Sequence, residues 1–224
     1  MKNKLLKGAH LSGHKCREIL ELFCEDITAT QIAAISGISR VTVNNYFKLI
    51  RKSIAAYCDH DPETVISYED DPMLAGNQRL PVVYGFVSNG RKIETTWLQA
   101  IDGNILQHLQ DHGNCNSFLK NIETFTPFQA IADCCNWKLH WLEDTASSAV
   151  SILLSDIAGF WSYTKGRLQK FRGMNKKMLY LHIKECEFRY NFRNEDLLPV
   201  LNEVISYPQK RKSPVTLNED CGFM

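Results

Sequence analysis

The stretch "GHKCREILELFCEDITATQIAAISGISRVTVNNYFKLIRKSI", Gly13 to Ile54, carries helical periodicity from end to end. Ile19, Leu20, Leu22 and Phe23 put an apolar stripe on a first helix. Thr28 offers an N-cap for a short second helix carrying Ile32 and Ala33. Ser36-Gly37-Ile38 interrupts it, and Ser39 caps a longer helix running to about Ser53. Ala33 is small where two helices cross closely, and Gly37, four residues on, suits the backbone angle of a tight turn. Ile38, Val43, Tyr46 and Phe47 are expected to bury the last helix against its neighbours. The pattern predicts a helix-turn-helix domain over residues 1–56. Its outward positions are Arg40, Thr42, Asn44, Asn45 and Lys48, flanked by Gln31 and Ser39. Asn can bond adenine edges, Arg guanine edges or phosphate, and Thr can meet a thymine methyl. Arg51, with Lys52, is placed along the DNA backbone.

Charge along the chain extends this reading. The net charge of +1 conceals four unequal blocks. Residues 1–55 hold nine Lys/Arg against four Asp/Glu, a net +5, and residues 56–164 hold five against fourteen, a net −9. Residues 165–193 hold nine against two, a net +7, and the remainder five acids against three bases, a net −2. Two basic segments around an acidic middle point to two nucleic-acid contacts, with double-stranded DNA the expected partner. In the second segment Lys165, Arg167, Lys170 and Arg172 are the expected phosphate contacts.

Hydrophobic residues make up 44% of the 224-residue chain, enough for a sizeable core and against disorder. No apolar run approaches the roughly 20 residues that span a bilayer, and "MKNKLLKGAH" lacks the apolar stretch of a signal peptide. A cytoplasmic protein without membrane partners is expected. The eight cysteines include no CxxC pair, so reduced thiols are expected. His112, Cys115, Cys134 or Cys135, and His140 are poorly spaced for zinc. No metal or other cofactor is expected.

Beyond a polar linker at 57–64 come three consecutive acids, Glu69, Asp70 and Asp71. "LPVVYGFVSNGRKIETTWLQAI" reads as a β-hairpin about a Ser-Asn-Gly turn. "NIETFTPFQAIADCCN" reads as strand then helix, and "WKLHWLED" as a short strand. From about Ser151 to Tyr207 the chain reads as helices, with Phe188, Tyr190 and Phe192 expected to pack the last long one onto the sheet. The fold class expected is α+β, a mixed sheet covered by helices.

The run "FWSYTKGRLQKFRGMNKKMLYLHIKECEFRYNFRN" resembles the C-terminal signature of short bacterial insertion-sequence transposases of the DDE class, with "KECEFRYNFR" its most specific part. "VVYGFVSNGRKIETTWLQA" is similar to their core hairpin and "FTPFQAI" to the segment holding their second acid. The resemblance implies a ribonuclease H-like core over residues 65–207 behind the helix-turn-helix, with 208–224 as a flexible tail. It also implies carboxylates holding two Mg²⁺ ions for phosphodiester attack. Carried over residue by residue, the first acid falls on Asp70, with Glu69 or Asp71 as alternatives, the second on Thr126, or on Phe125 if the register slips by one, and the third on Ala158, with the family's later lysine kept as Lys165. A hydroxyl and a methyl cannot replace charged oxygen donors. The resemblance therefore implies a DNA-binding protein with a degenerate catalytic site, acting as a homo-oligomer or with a protein partner. The alternative is an active, Mg²⁺-dependent transposase whose site is rebuilt from displaced acids such as Asp133, Glu143, Asp144 or Asp156. A third reading is a protein-binding scaffold.

Overall fold

The computed structural model describes residues 10–59, 83–98, 125, 127–134, 136–142, 148–169 and 176–206. Three helices come first: α1 (Gly13–Cys24), α2 (Ala29–Ser36) and α3 (Arg40–Cys58). Local chemistry sets their ends. Ser12 and Ser39 cap α1 and α3, the Ser39 hydroxyl accepting the Thr42 amide at 3.1 Å. Thr28 and Gln31 form a reciprocal capping box on α2. Gly37 ends α2 at φ +69°, a left-handed angle that side chains resist. The buried Ser36 steadies the turn, donating to Ile32 O and accepting from Ile38 N. The third helix runs one turn beyond the expected Ser53.

The sheet has four strands among the described residues: β1 (Val83–Ser88), β2 (Ile93–Leu98), β3 (Ala130–Asp133) and β4 (Lys138–Trp141), in the order β2-β1-β3-β4. Every pairing is antiparallel. The parallel pairing of a mixed sheet is therefore not seen among the described residues. The hairpin expected within 80–101 is present over the described residues 83–98, turning at Gly90 (φ +78°) with Asn89 accepting the Arg91 and Lys92 amides. The strand-then-helix expectation for "FTPFQAIADCCN" is corrected. Its described part is β3 leading through a turn to β4, because four consecutive buried residues satisfy both sides of an inner strand. Gly85 on β1 is required by close approach: a Cβ there would lie 2.4 Å from the Phe128 ring.

Three helices follow: α4 (Ser148–Leu168), α5 (Lys176–Asn191) and α6 (Leu197–Ser206). One apolar cluster joins the sheet to α4 and α5, through Phe86, Phe160, Trp161 and Tyr180. Phe160 and Trp161 are buried core residues, Phe160 meeting Phe86 edge-on at 5.3 Å between centroids. The second cluster is built from α1–α3 and takes in Phe188, Leu201 and Val204 from α5 and α6. Packing thus crosses the boundary expected between residues 56 and 65.

The face of α5 toward the sheet is not the aromatic one expected. Phe188 goes to the second cluster, and Tyr190 packs on Phe160 and Tyr163 of α4. Lys184, Glu187 and Asn191, spaced i, i+3, i+7, meet β2 instead. Asn191 Nδ2 donates to Ile93 O and its Oδ1 accepts Ile93 N, both at 2.8 Å. Glu187 accepts the Thr95 amide at 3.1 Å and hydroxyl at 2.5 Å, while Lys184 donates to Thr95 O. Helix side chains thereby satisfy the backbone of an edge strand that would otherwise invite pairing with another chain.

Candidate nucleic-acid interface

The first turns of α3 form the surface that the capped α2–α3 corner presents. Val43, Tyr46, Phe47 and Ile50 are buried and hold the helix from behind. Arg40, Asn44 and Asn45 are exposed, and Thr42 and Lys48 are half-buried at the margins. Val41, 71% exposed, completes this face and was not among the expected contacts. Its spacing of i+3 and i+4 to Asn44 and Asn45 is the signal that could have found it. The α3 sequence holds four Lys/Arg and no acid. Three of the expected contacts also have structural duties. Gln31 Oε1 accepts from the Thr28 amide and hydroxyl, and the Ser39 and Thr42 hydroxyls bond each other at 2.8 Å.

Two of the expected phosphate contacts, Arg51 and Arg167, are engaged in buried ion pairs. Arg51 is 7% exposed and donates through Nε to Glu185 at 2.6 Å. Arg167, equally buried, donates to Glu185 at 2.8 Å and pairs with Asp26 at 2.7 Å. Arg189 adds a third guanidinium, bonding Glu185 through Nε and the Phe23 and Cys24 carbonyls through its terminal nitrogens. That last pair of bonds satisfies carbonyls at the end of α1, where a cation also meets the negative end of the helix dipole. Burial alone would raise the Glu185 pKa, but Arg51, Arg189 and Arg167 outweigh it and hold the carboxyl far below its ordinary value. Beside them His182 is pushed down to about 3 by burial and by Arg51, so it is neutral at physiological pH.

Lys184 is a second internalised cation, 2% exposed and held by Asp59 at 2.5 Å and Glu187 at 3.0 Å. Burial lowers its pKa, and the two carboxylates raise it by more. Of the basic block 165–193, then, Arg167, Lys184 and Arg189 serve the interior. Lys165 is half-buried with its ammonium 5.9 Å from the Trp161 ring centroid. Lys170 and Arg172 lie outside the described residues, as do Asp70 and Thr126.

Of the three positions assigned to metal ligands, Ala158 alone is described. It sits on an exposed part of α4 and carries a methyl, so this position does not fit a divalent ion. Asp133 is buried at the end of β3, and its two oxygens accept from Asn136 N and Nδ2. Asp156 is half-buried on α4; Glu143 and Asp144 lie outside the described residues. Among the described residues no three His, Cys, Asp or Glu side chains converge as a metal site. Of the poorly spaced zinc candidates, Cys134 and His140 are buried, and burial lowers the His140 pKa. His112, Cys115 and Cys135 are outside the described residues. No helix among the described residues is long and apolar enough to cross a membrane.

Over 38 residues the chain is 45% identical to an uncharacterized transposase-like protein of Haemophilus influenzae. The matched segment is 17% of this chain and 31% of that protein, so the chain spans about a third of that relative's length. No protein-family model matches the chain, and no solved structure matches it.

Proposed function

We propose that the protein binds duplex DNA in a sequence-preferring way through a helix-turn-helix formed by α2, the Gly37 turn and α3, and that it derives from an insertion-sequence transposase. The observation that carries this reading is the acid-free face of Arg40, Val41, Asn44 and Asn45, set on a corner whose two helices are both capped. Bidentate amides read adenine, a guanidinium reads guanine, and a valine suits a thymine methyl. An α-helix of this kind fits the major groove, with its N-terminal residues toward the base edges. The three-residue connection from Ser36 to Arg40, with glycine inside it, is the length that such a motif uses.

The core is read as ribonuclease H-like by ancestry and catalytically silent, with Ala158 in a ligand position supporting the second part. Partial likeness to a transposase-like protein supports the ancestry. The degenerate positions Asp70, Thr126 and Ala158 are then vestiges, while Lys165, Lys170 and Arg172 remain candidates for phosphate contact. Assembly as a homo-oligomer or with a protein partner in a DNA complex, and a cytoplasmic location, belong to the same proposal. The division into a DNA-binding domain at 1–56, a core at 65–207 and a tail at 208–224 belongs to it as well.

The test is fluorescence anisotropy with the full chain and a randomised duplex pool at low and moderate salt, with and without Mg²⁺. The expected result is binding that weakens steeply with salt, selects a sequence and ignores the metal. Absence of duplex affinity at low salt would refute the DNA reading. Mg²⁺- or Mn²⁺-dependent strand nicking by pure protein would refute silence of the core.

A further inference from the structure

Where α2 and α3 meet α4 and α5, the molecule encloses a cleft of about 410 Å³. That volume is within the range of small-molecule sites. Its charge is unbalanced. Arg40, Arg51, Arg167 and Arg189 line it against the carboxylates of Asp26 and Glu185, an excess of two positive charges. His182, also in the wall, is neutral at physiological pH and leaves that excess unchanged.

The four guanidiniums are not equally occupied. Arg189 bonds Glu185 and two carbonyls, and Arg167 bonds Glu185 and Asp26. Arg51 reaches Glu185 through Nε, and no bond from its two terminal nitrogens is found among the described residues. Arg40, exposed at the rim, has no ion pair there either. Two guanidinium groups with donors to offer therefore border one cleft, the arrangement that receives a tetrahedral oxyanion in two directions. The first turn of α2, Thr28 to Thr30, lines the same space and adds the positive end of its dipole. The remaining wall is apolar, from Phe23, Ile27, Phe47 and Met178. The Phe23 and Phe47 rings meet edge-on at 5.1 Å between centroids.

We propose that this cleft is a binding site for a small phosphate-bearing ligand with a flat apolar body, in the mononucleotide size class. Its phosphate meets the terminal nitrogens of Arg51 and Arg40, and its apolar body lies against Ile27 and Met178, the half-buried residues of the wall. Arg40 and Asn44 border both the cleft and the face proposed for DNA, so ligand and duplex exclude one another. That exclusion rests on the proposed DNA reading, whereas the ligand site does not. A backbone phosphate of bound duplex presents the same chemistry and is the other possible source.

The first experiment is isothermal titration of the full chain, without DNA, with adenosine 5′-monophosphate, adenosine and inorganic phosphate. The monophosphate is expected to bind one per chain, at least about tenfold tighter than adenosine, with phosphate competing. Arg51→Lys keeps a cation beside Glu185 but removes the fork, and Arg40→Ala alters an exposed side chain. Each is expected to weaken the monophosphate at least about tenfold, with the melting temperature of Arg40→Ala unchanged. Binding that neither substitution alters would overturn the site. Should the free monophosphate fail to bind while both substitutions weaken duplex binding, the phosphate belongs to DNA and the small-ligand proposal is overturned. Saturating monophosphate should lower duplex affinity several-fold, and no change would overturn the exclusion. If no duplex binds at all, the titration without DNA still decides the ligand site.

Discussion

Helices α3 and α5 are both rich in charge and use it in opposite ways. On the first turns of α3 the polar groups face outward, and the buried residues behind them are apolar. On α5 the charges face inward. Lys184, Glu185, Glu187 and Arg189 are all buried and paired, with carbonyls, a strand edge and the N-terminal helices. The difference separates a surface proposed for recognition from an interior device that holds three parts of the chain together. Substitutions on the α3 face should change binding and spare the fold, and those on α5 should do the reverse.

The largest effect is expected at Glu185. It is 1% exposed and receives three guanidiniums. Glu185→Ala leaves those cations buried against one another, and removing one partner of a buried pair costs about 3–5 kcal/mol. Urea denaturation read by circular dichroism measures it. A loss below about 1 kcal/mol would break the contrast with α3, since that is the ceiling for a typical exposed ion pair.

Next in size is Gly85→Ala, which tests the sheet that α5 covers. The new methyl would meet the Phe128 ring, so β1 and the Phe128 segment must separate. Overpacking of this kind costs about 1–3 kcal/mol. Thermal unfolding measures it, and an unchanged midpoint would show that the ring moves aside freely.

A smaller effect comes from His182. Its folded value of about 3 lies below the ordinary 6.5, so the unfolded chain binds the proton more tightly. The stability it permits is complete above pH 6.5 and declines as pH falls toward 3, by up to about 1.4 kcal/mol per unit. Glu185, whose folded value is also depressed, adds its own loss only near and below its ordinary 4.5. Between pH 6.5 and 5 the decline therefore belongs to two buried imidazoles, His182 and His140, whose value burial also lowers. Denaturation midpoints of His182→Gln should be flatter there than those of the parent chain, and identical slopes would show that His182 contributes nothing to the decline.

Much of this contrast was legible in the sequence on one side and hidden on the other. Caps and turns are local: Thr28, Ser39 and Gly37 act within four residues of where they stand, and each does what its chemistry predicts. The hairpin is equally local, with Asn89 and Gly90 in its turn. Buried ion pairs are not. Arg51 and Glu185 are 134 residues apart, and nothing near Arg51 distinguishes it from a solvent-facing cation. The same distance problem hid the service of Lys184, Glu187 and Asn191 to β2, so that Phe188, Tyr190 and Phe192 were expected to pack onto the sheet in their place. In β3 a short apolar run, "AIAD", suited strand and helix alike, and periodicity over four residues cannot separate them. Of the positions that the transposase resemblance assigns to metal ligands, Ala158 is described and Asp70 and Thr126 are not.

The central claim, that α3 reads DNA while α5 holds the fold, is tested most directly by duplex anisotropy on Asn44→Ala/Asn45→Ala beside the parent chain, with a urea melt of each. Each lost base-edge contact is worth about 1–3 kcal/mol, so affinity for the preferred duplex should fall at least about tenfold. Stability should stay within about 0.5 kcal/mol. Equal duplex affinity in the two proteins, with both folded, would contradict it.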